Sequence, residues 1–366
     1  MMAASLPKLT IRSLNVRPVR VPMRRPLGTS AGAIRTAPLV LIDLVTHEGI
    51  TGHAYLMCYA ERLVAAACAL LRESFELIDG KAVAPLEIAA RFDRAYRIPG
   101  FEGLVSNALS GIDVAAWDAL AQAAGVPLVR LLGGQSRPIP TYNSNGLSVS
   151  NPDAMGEEAR ELLSEGFRAV KLRLGYGTLE EDVRAARAVR AAVPAGTVVM
   201  SDYNQGLSVA EAIARGRALD GEGLAWIEEP IRHGDYEGCA RVAAAVSTPV
   251  QIGENFIGTH QLARALQAHA SDYVMFDLMR IFGVTGWMHG AAIAEAAGIE
   301  VSSHLFPEVS VHLLAATPTA HWLEYVDWAA PILARPLTVV DGHVTPPDRP
   351  GAGIAWNEDA VRAYTM

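Results

Sequence analysis

The chain opens in short extended runs of apolar residues. Residues 37–46 (APLVLIDLVT) are rich in Val, Leu and Ile, and His47-Glu48-Gly49 supplies a turn before the next run at 50–55. Residues from about 8 to 60 therefore read as β-strands. From about 61 to 127 the period lengthens. Across residues 109–120 (LSGIDVAAWDAL), apolar side chains return at three- and four-residue steps, which predicts helix. Strands followed by a run of helices predict a separate α+β unit. After Leu131-Leu132-Gly133-Gly134 the rhythm changes again. Short β runs at 169–172, 198–201, 225–227, 250–252, 273–276 and 299–302 alternate with Ala-rich amphipathic stretches. That alternation predicts a parallel sheet, and its length fits a barrel of seven or eight strand–helix units. Beyond about residue 330, Pro331, Pro336, Pro346, Pro347 and Pro350 mark an excursion that returns to the first unit.

Five ionisable side chains sit on this rhythm. Asp202, Glu228, Glu254, Asp277 and His304 follow one another at steps of 26, 26, 23 and 27 residues. One strand, one helix and two short loops occupy about that length. If each residue ends a strand, all five share the C-terminal mouth of a (β/α)₈-type barrel, where active sites lie. Taken singly, an acid after a strand reads equally well as a helix N-cap. Repeated at matching strand ends, the carboxylates would repel one another strongly without a cation between them. Hard oxygen ligands suit Mg²⁺, and the lack of a nearby Cys or paired His argues against zinc.

Other groups join this set. Lys171 and Arg173 stand two apart in VKLRLG, on one face of a strand. A histidine held by a carboxylate on one ring nitrogen can take a proton on the other, which suits His304 with Asp277; a buried structural pair is the plainer alternative. Glu324, in His321-Trp322-Leu323-Glu324, would stay protonated in an apolar setting and donate to a developing oxyanion; otherwise it is a solvated surface acid.

Bulk properties exclude several classes. Of 366 residues, 51% are hydrophobic and 19% charged, so a large core is expected rather than disorder. The net charge is −8 and the arginines are scattered, which argues against nucleic acid as a partner. No apolar run reaches the ~18–20 residues of a membrane span. The start, MMAASLPKLTIRSL, lacks the apolar core of a secretory signal. Cys58, Cys68 and Cys239 form no CxxC pair, so reduced thiols in a cytoplasmic protein are expected.

The motifs together resemble one family. Lys171-x-Arg173, Asp202-Tyr203-Asn204-Gln205, Glu228-Glu229-Pro230, Gly253-Glu254-Asn255, Ser302-Ser303-His304-Leu305-Phe306 and His321-Trp322-Leu323-Glu324 resemble the mandelate racemase subgroup of the enolase superfamily. Residues 36–43, 111–118, 315–324 and 350–356 extend the resemblance over essentially the whole chain. It implies an α/β fold: a modified (β/α)₇β TIM-like barrel (131–330) beneath an α+β capping domain (1–130), with a tail (331–366) returning to the cap. It also implies Mg²⁺ held by Asp202, Glu228 and Glu254, with Lys171 beside the substrate carboxylate. His304, paired with Asp277, becomes the base on the R face, and Glu324 the acid at the enolate oxygen. Asn204 and Ser144 match polar positions near the substrate. Residues 23–27 and 29–34 match a mobile capping loop, and residues 55–59, including Tyr59, a second specificity loop. Leu27, Ile34, Met57 and Leu305 would present apolar surface, whereas Arg24 and Arg25 would suit a polyhydroxylated or dianionic substrate unless they face solvent. The implied partner is a small hydroxy acid or acid sugar, in a homo-oligomer (dimer or octamer).

One position departs from the pattern. Where mandelate racemase has a lysine as the S-face base, this chain has Arg173. Turning a guanidinium of ordinary pKa about 12.5 into a free base at neutrality costs roughly 7.5 kcal/mol. Arg173 is therefore read as a hydrogen-bonding fork, which leaves His304 as the single base. Removal of an α-proton from a 2-hydroxycarboxylate to an enediolate is expected, with dehydration ahead of mandelate-type racemisation. A binding relative that has lost catalysis is the alternative from another class, and the His304–Asp277 pair opposite Glu324 counts against it.

Overall fold

The computed structural model describes residues 8–29 and 32–366. Residues 1–7, in the stretch read as lacking a signal, and residues 30–31, within the predicted capping loop, lie outside the described residues. β1 (Ile11–Thr29), β2 (Gly32–Thr46) and β3 (Thr51–Met57) form an antiparallel sheet in the order β1-β2-β3. Helices α1 (Glu61–Ser74), α2 (Pro85–Tyr96) and α3 (Gly103–Ala123) follow. α3 is buried along most of its length because it lies directly on the sheet. A Cβ at Gly52 would stand 1.8 Å from the Ala115 carbonyl oxygen, so only glycine allows this approach.

After the one-turn α4 (Leu128–Leu131), the chain alternates strand and helix. The strands are β4 (Ile139–Asn143), β5 (Ala169–Arg173), β6 (Val198–Asp202), β7 (Ile227–Glu228), β8 (Val250–Ile252), β9 (Tyr273–Asp277), β10 (Val301–His304) and β11 (Leu323–Tyr325). Between them run α5 (Met155–Leu163), α6 (Leu179–Ala192), α7 (Val209–Leu219), α8 (Tyr236–Ala243), α9 (Gly258–Gln267), α10 (Gly283–Ala297) and α11 (Pro307–Ala316). The parallel sheet runs β10-β9-β8-β7-β6-β5-β4-β11. It closes on itself where Ser303 N–H donates to Trp322 O (3.0 Å) and His321 N–H to Val301 O (2.8 Å). Seven strand–helix units and a last strand thus make a (β/α)₇β barrel.

Helix starts follow local chemistry. Thr178 and Ser208 each cap a helix in a reciprocal box with Glu181 and Glu211, satisfying donors that would otherwise lack partners. The closing segment, with β12 (His343–Val344) and α12 (Glu358–Tyr364), pairs first with β4 and then reaches the amino-terminal sheet. There Trp356 Nε1 donates to Asp43 (2.7 Å), and Glu358 meets Arg17 at 2.7 Å. Among the described residues no helix is long and apolar enough to cross a membrane. Cys58, Cys68 and Cys239 are free and buried.

Candidate active site

Parallel pairing decides which side chains meet at the barrel mouth. Arg173 lies beside Asp202, Asp202 beside Glu228, and Asp277 beside His304 in the strand registers. Glu254 follows two residues after the end of β8. Asp202, Glu228 and Glu254 are buried, and each offers an oxygen within 4.8 Å of the others. Burial, together with the charges of Asp202, Glu254 and Glu324, outweighs the pull of Lys171 and pushes the Glu228 carboxyl up to about 8. A trio of buried oxygen ligands under this repulsion fits a hard divalent cation. Glu228 is further oriented by Trp226 Nε1 (3.0 Å) and Gln251 Nε2 (3.3 Å).

The other sequence-predicted groups converge on the same place. Lys171 Nζ lies 2.5 Å from Glu228, 2.8 Å from Glu324 and 3.3 Å from Asp202. Burial disfavours its charge, but Glu228 and Glu324 outweigh burial and raise its pKa. His304 Nδ1 meets Asp277 Oδ2 at 2.7 Å. Asp277 Oδ1 in turn accepts from the Met279 and Arg280 N–H groups at 2.9 and 3.0 Å, which fixes the carboxylate and, through it, the ring. His304 Nε2 is left facing the cavity side, 3.5 Å from Glu254 and 4.0 Å from Glu324. Burial lowers the imidazole pKa, but Glu254, Glu324 and Asp277 overcome this and raise it to about 9.

Glu324 departs from its expectation. Its setting is ionic rather than apolar: Ser144 Oγ donates at 2.7 Å and Leu305 N–H at 2.9 Å, beside Lys171. Burial pushes the carboxyl up, yet Lys171 and His304 hold it down at about 2. In this arrangement it is an acceptor, not a neutral donor. Arg173 is tied to backbone: Nη1 donates to Gly146 O (2.8 Å), and Nη2 to Ser144 O and Oγ (3.1 Å each). Ser144 thus links Arg173 to Glu324 from behind the cavity wall.

A cavity of about 220 Å³ covers these groups, lined by Lys171, Arg173, Asp202, Asn204, Glu254, His304 and Glu324 on the barrel side. Leu27, Ile34 and Tyr59 from the amino-terminal domain and Leu305 complete it, together with Val326 and Trp328. Tyr59, Asn204, Gln205 and Leu305 adopt positive φ (56°, 46°, 65° and 52°), and all four line the cavity. Strain of this kind collects at functional sites. Met57, expected there, is buried elsewhere, with its N–H against Met279 Sδ (3.3 Å). Arg24 and Arg25 do not line the cavity either. Arg24 pairs with Glu165, just after α5, and with Asp327, just after β11, while Arg25 pairs with Glu158 and Glu161 on α5 itself. Sequence reasoning missed Gln205 and Asn255, which a fuller reading of the strand-end motifs would have included. It also missed Arg280, Val326 and Trp328, which lie in loops without a periodic signal.

Comparison with known proteins agrees with this geometry. Residues 11–133 match the mandelate racemase / muconate lactonizing enzyme N-terminal domain, and residues 154–360 match the enolase C-terminal domain-like family. The chain belongs to the enolase superfamily, in its mandelate racemase / muconate lactonizing branch. It is similar to an enolase from the alphaproteobacterium bal199 solved with bound magnesium (44% identity, TM-score 0.96, covering 98% of this chain and 100% of that one). It is also similar to an enolase from Bradyrhizobium complexed with magnesium and mandelic acid (42% identity, TM-score 0.94, all of both chains). L-talarate/galactarate dehydratase of Salmonella typhimurium is 34% identical over 264 residues, 72% of this chain and 66% of that protein. The chain is therefore an enzyme, and Mg²⁺ is its cofactor.

Proposed function

We propose that this enzyme removes the α-proton of a 2-hydroxycarboxylate with His304 as its one base, and that the reaction completed is the dehydration of an acid sugar. Asp202, Glu228 and Glu254 would hold Mg²⁺, which supplies positive charge against the negative charge that develops on the substrate carboxylate. Lys171 stands where it can neutralise that carboxylate further. Asp277 keeps the His304 ring oriented, so that Nε2 takes the proton from C2. The electron pair moves into the carboxylate as an enediolate. It returns to expel the 3-hydroxyl, which receives the same proton from His304 and leaves as water. The enol product then becomes the 2-keto-3-deoxy acid.

The observation that carries this reading is the fixed hydrogen bonding of Arg173 to the Gly146 and Ser144 carbonyls. A guanidinium held in this way is a poor second base, and racemisation requires one. The dehydratase relative supports the same direction. A racemase reading draws support from the apolar residues Leu27, Ile34, Val326 and Trp328 and from the mandelic acid bound by the Bradyrhizobium protein. Incubation of R- and S-configured 2-hydroxy acids and 2,3-dihydroxy acids in D₂O separates the two. The expected result is α-proton exchange from one configuration and keto-acid formation from a dihydroxy acid, both lost in His304→Asn. Equal exchange from both configurations would overturn the one-base reading. No exchange from any acid with Mg²⁺ bound would overturn the α-proton chemistry itself.

A further inference from the structure

Helix α10 begins without a cap of its own. Phe282, the residue before it, is left-handed (φ 76°) and gives the first turn no side-chain acceptor. The amino-terminal domain supplies one instead. Asp113, fully buried on α3, accepts from Thr285 N–H at Oδ2 (3.0 Å) and from Thr285 Oγ1 at Oδ1 (2.5 Å). Trp117, one turn further along α3, donates Nε1 to the same hydroxyl (2.9 Å). The Thr285 hydroxyl thus accepts from Trp117 and gives its own proton to Asp113. Gly283 makes the approach possible, since a Cβ there would stand 2.3 Å from Asp113 Oδ2. Burial pushes the Asp113 carboxyl up to about 7 against the pull of the Thr285 and Val284 donors, and no cation pairs with it among the described residues. A buried acid in such a setting is retained at a cost.

Residues 278–282 alone separate this capped helix start from Asp277 at the end of β9. The loop is taut: Gly283 N–H donates to Leu278 O (2.7 Å) and Ile281 N–H to Asp277 O (3.0 Å). Its Met279 and Arg280 N–H groups hold Asp277 Oδ1, and Asp277 Oδ2 holds His304. The amino-terminal domain grips the loop a second time at Met279, whose Sδ accepts from Met57 N–H (3.3 Å). A displaced α10 start would carry these donors with it and turn the imidazole. Misplacement of a reacting group by about 1 Å can cost about 10²-fold in rate. We propose, building on His304 as the base, that Asp113 is its positioning residue: by capping α10 from the other domain it sets the loop that aims Asp277 and His304. The competing role is domain docking alone.

Asp113→Asn separates the two roles, because the amide keeps one acceptor and turns a donor toward the donors of Thr285. Galactarate, gluconate and mandelate in D₂O are the probes for the Mg²⁺-loaded enzyme. Asp113→Asn should lower kcat and α-proton exchange together by at least tenfold, with KM and Mg²⁺ affinity within about threefold. Thr285→Val should move the same way, and Thr285→Ser, which keeps the hydroxyl, should behave as wild type. Trp356→Phe, which removes a bond to Asp43 far from the loop, should lower Tm and leave kcat unchanged. In an Asp277→Asn background the connection to His304 is already cut, so adding Asp113→Asn should cost less than twofold in exchange. An Asp113→Asn variant that lowers Tm but keeps kcat overturns the proposal, as does an equal loss in both backgrounds. If Asp113→Asn does not fold, the Thr285→Val and Thr285→Ser pair in the same two backgrounds decides by the same criteria. Exchange undiminished in His304→Asn and Asp277→Asn sinks the base reading itself, whereas loss there without loss in Asp113→Asn sinks this proposal alone.

Discussion

Arg173 and His304 set what the site can do at the level of single residues. Two carbonyl oxygens and Ser144 Oγ already accept from the Arg173 guanidinium, so deprotonation would break favourable contacts in addition to the roughly 7.5 kcal/mol set by the guanidinium's ordinary basicity. An ammonium in the same place can be tuned toward neutrality by burial and by neighbouring charge. Arg173→Lys is therefore expected to create a second base. In D₂O the variant should exchange the S-configured α-proton at least tenfold faster than wild type, while exchange of the R-configured proton continues. Parity between variant and wild type on the S substrate would show that position 173 does not face the α-carbon. His304→Asn should lower turnover by about 10²–10⁴-fold, the usual contribution of a general base.

At the scale of elements, the lid end of β1 is held to the barrel by charge and by backbone contacts. Gly28 N–H donates to Ser148 Oγ at 2.8 Å, and Arg24 and Arg25 reach the acids on and after α5 and Asp327. Exposed pairs of this kind contribute about 1 kcal/mol or less each. Replacing both arginines by alanine should raise KM a few-fold, leave kcat nearly unchanged and flatten the rise of KM with salt. A salt-independent wild-type KM would show that the ion pairs do not hold the lid. The elements themselves were largely legible in the sequence. Strand ends at Asp202, Glu228, Asp277 and His304 follow from the barrel period, because each strand–helix unit needs a nearly constant chain length. The failures have a common cause. Arg24, Arg25, Met57 and the ionic setting of Glu324 depend on which remote side chain lies opposite, and spacing along one chain does not encode that. Arg280 and Trp328 were missed for a second reason: their loops carry no period.

The whole molecule places an acidic cluster inside a closed barrel under a cap, so its stability is linked to protons and to metal. Without metal, His304 has a folded pKa of about 9 against an ordinary 6.5, and its contribution is fully present below 6.5 and lost as pH rises through 9. Glu228, at about 8 against 4.5, acts in the same direction: its folded form prefers the proton, and stability falls as pH climbs from about 4.5 to 8. Glu324, held at about 2, contributes above 4.5 and is constant over that range. Chelator-treated protein should therefore lose Tm steadily from pH 5.5 to pH 9. Magnesium requires the ionised carboxylates, so its binding should tighten by up to about tenfold per pH unit below pH 8. Stabilisation by a bound ion grows with the logarithm of its concentration over Kd, and the Tm gained on adding a fixed Mg²⁺ excess should be larger at pH 8 than at pH 6. Scanning calorimetry at both values, with and without chelator, checks this. A gain that is equal at the two pH values, or smaller at pH 8, would mean that the carboxylates are already ionised at pH 6 in the metal-free protein, with Lys171 and His304 together sufficient to balance them.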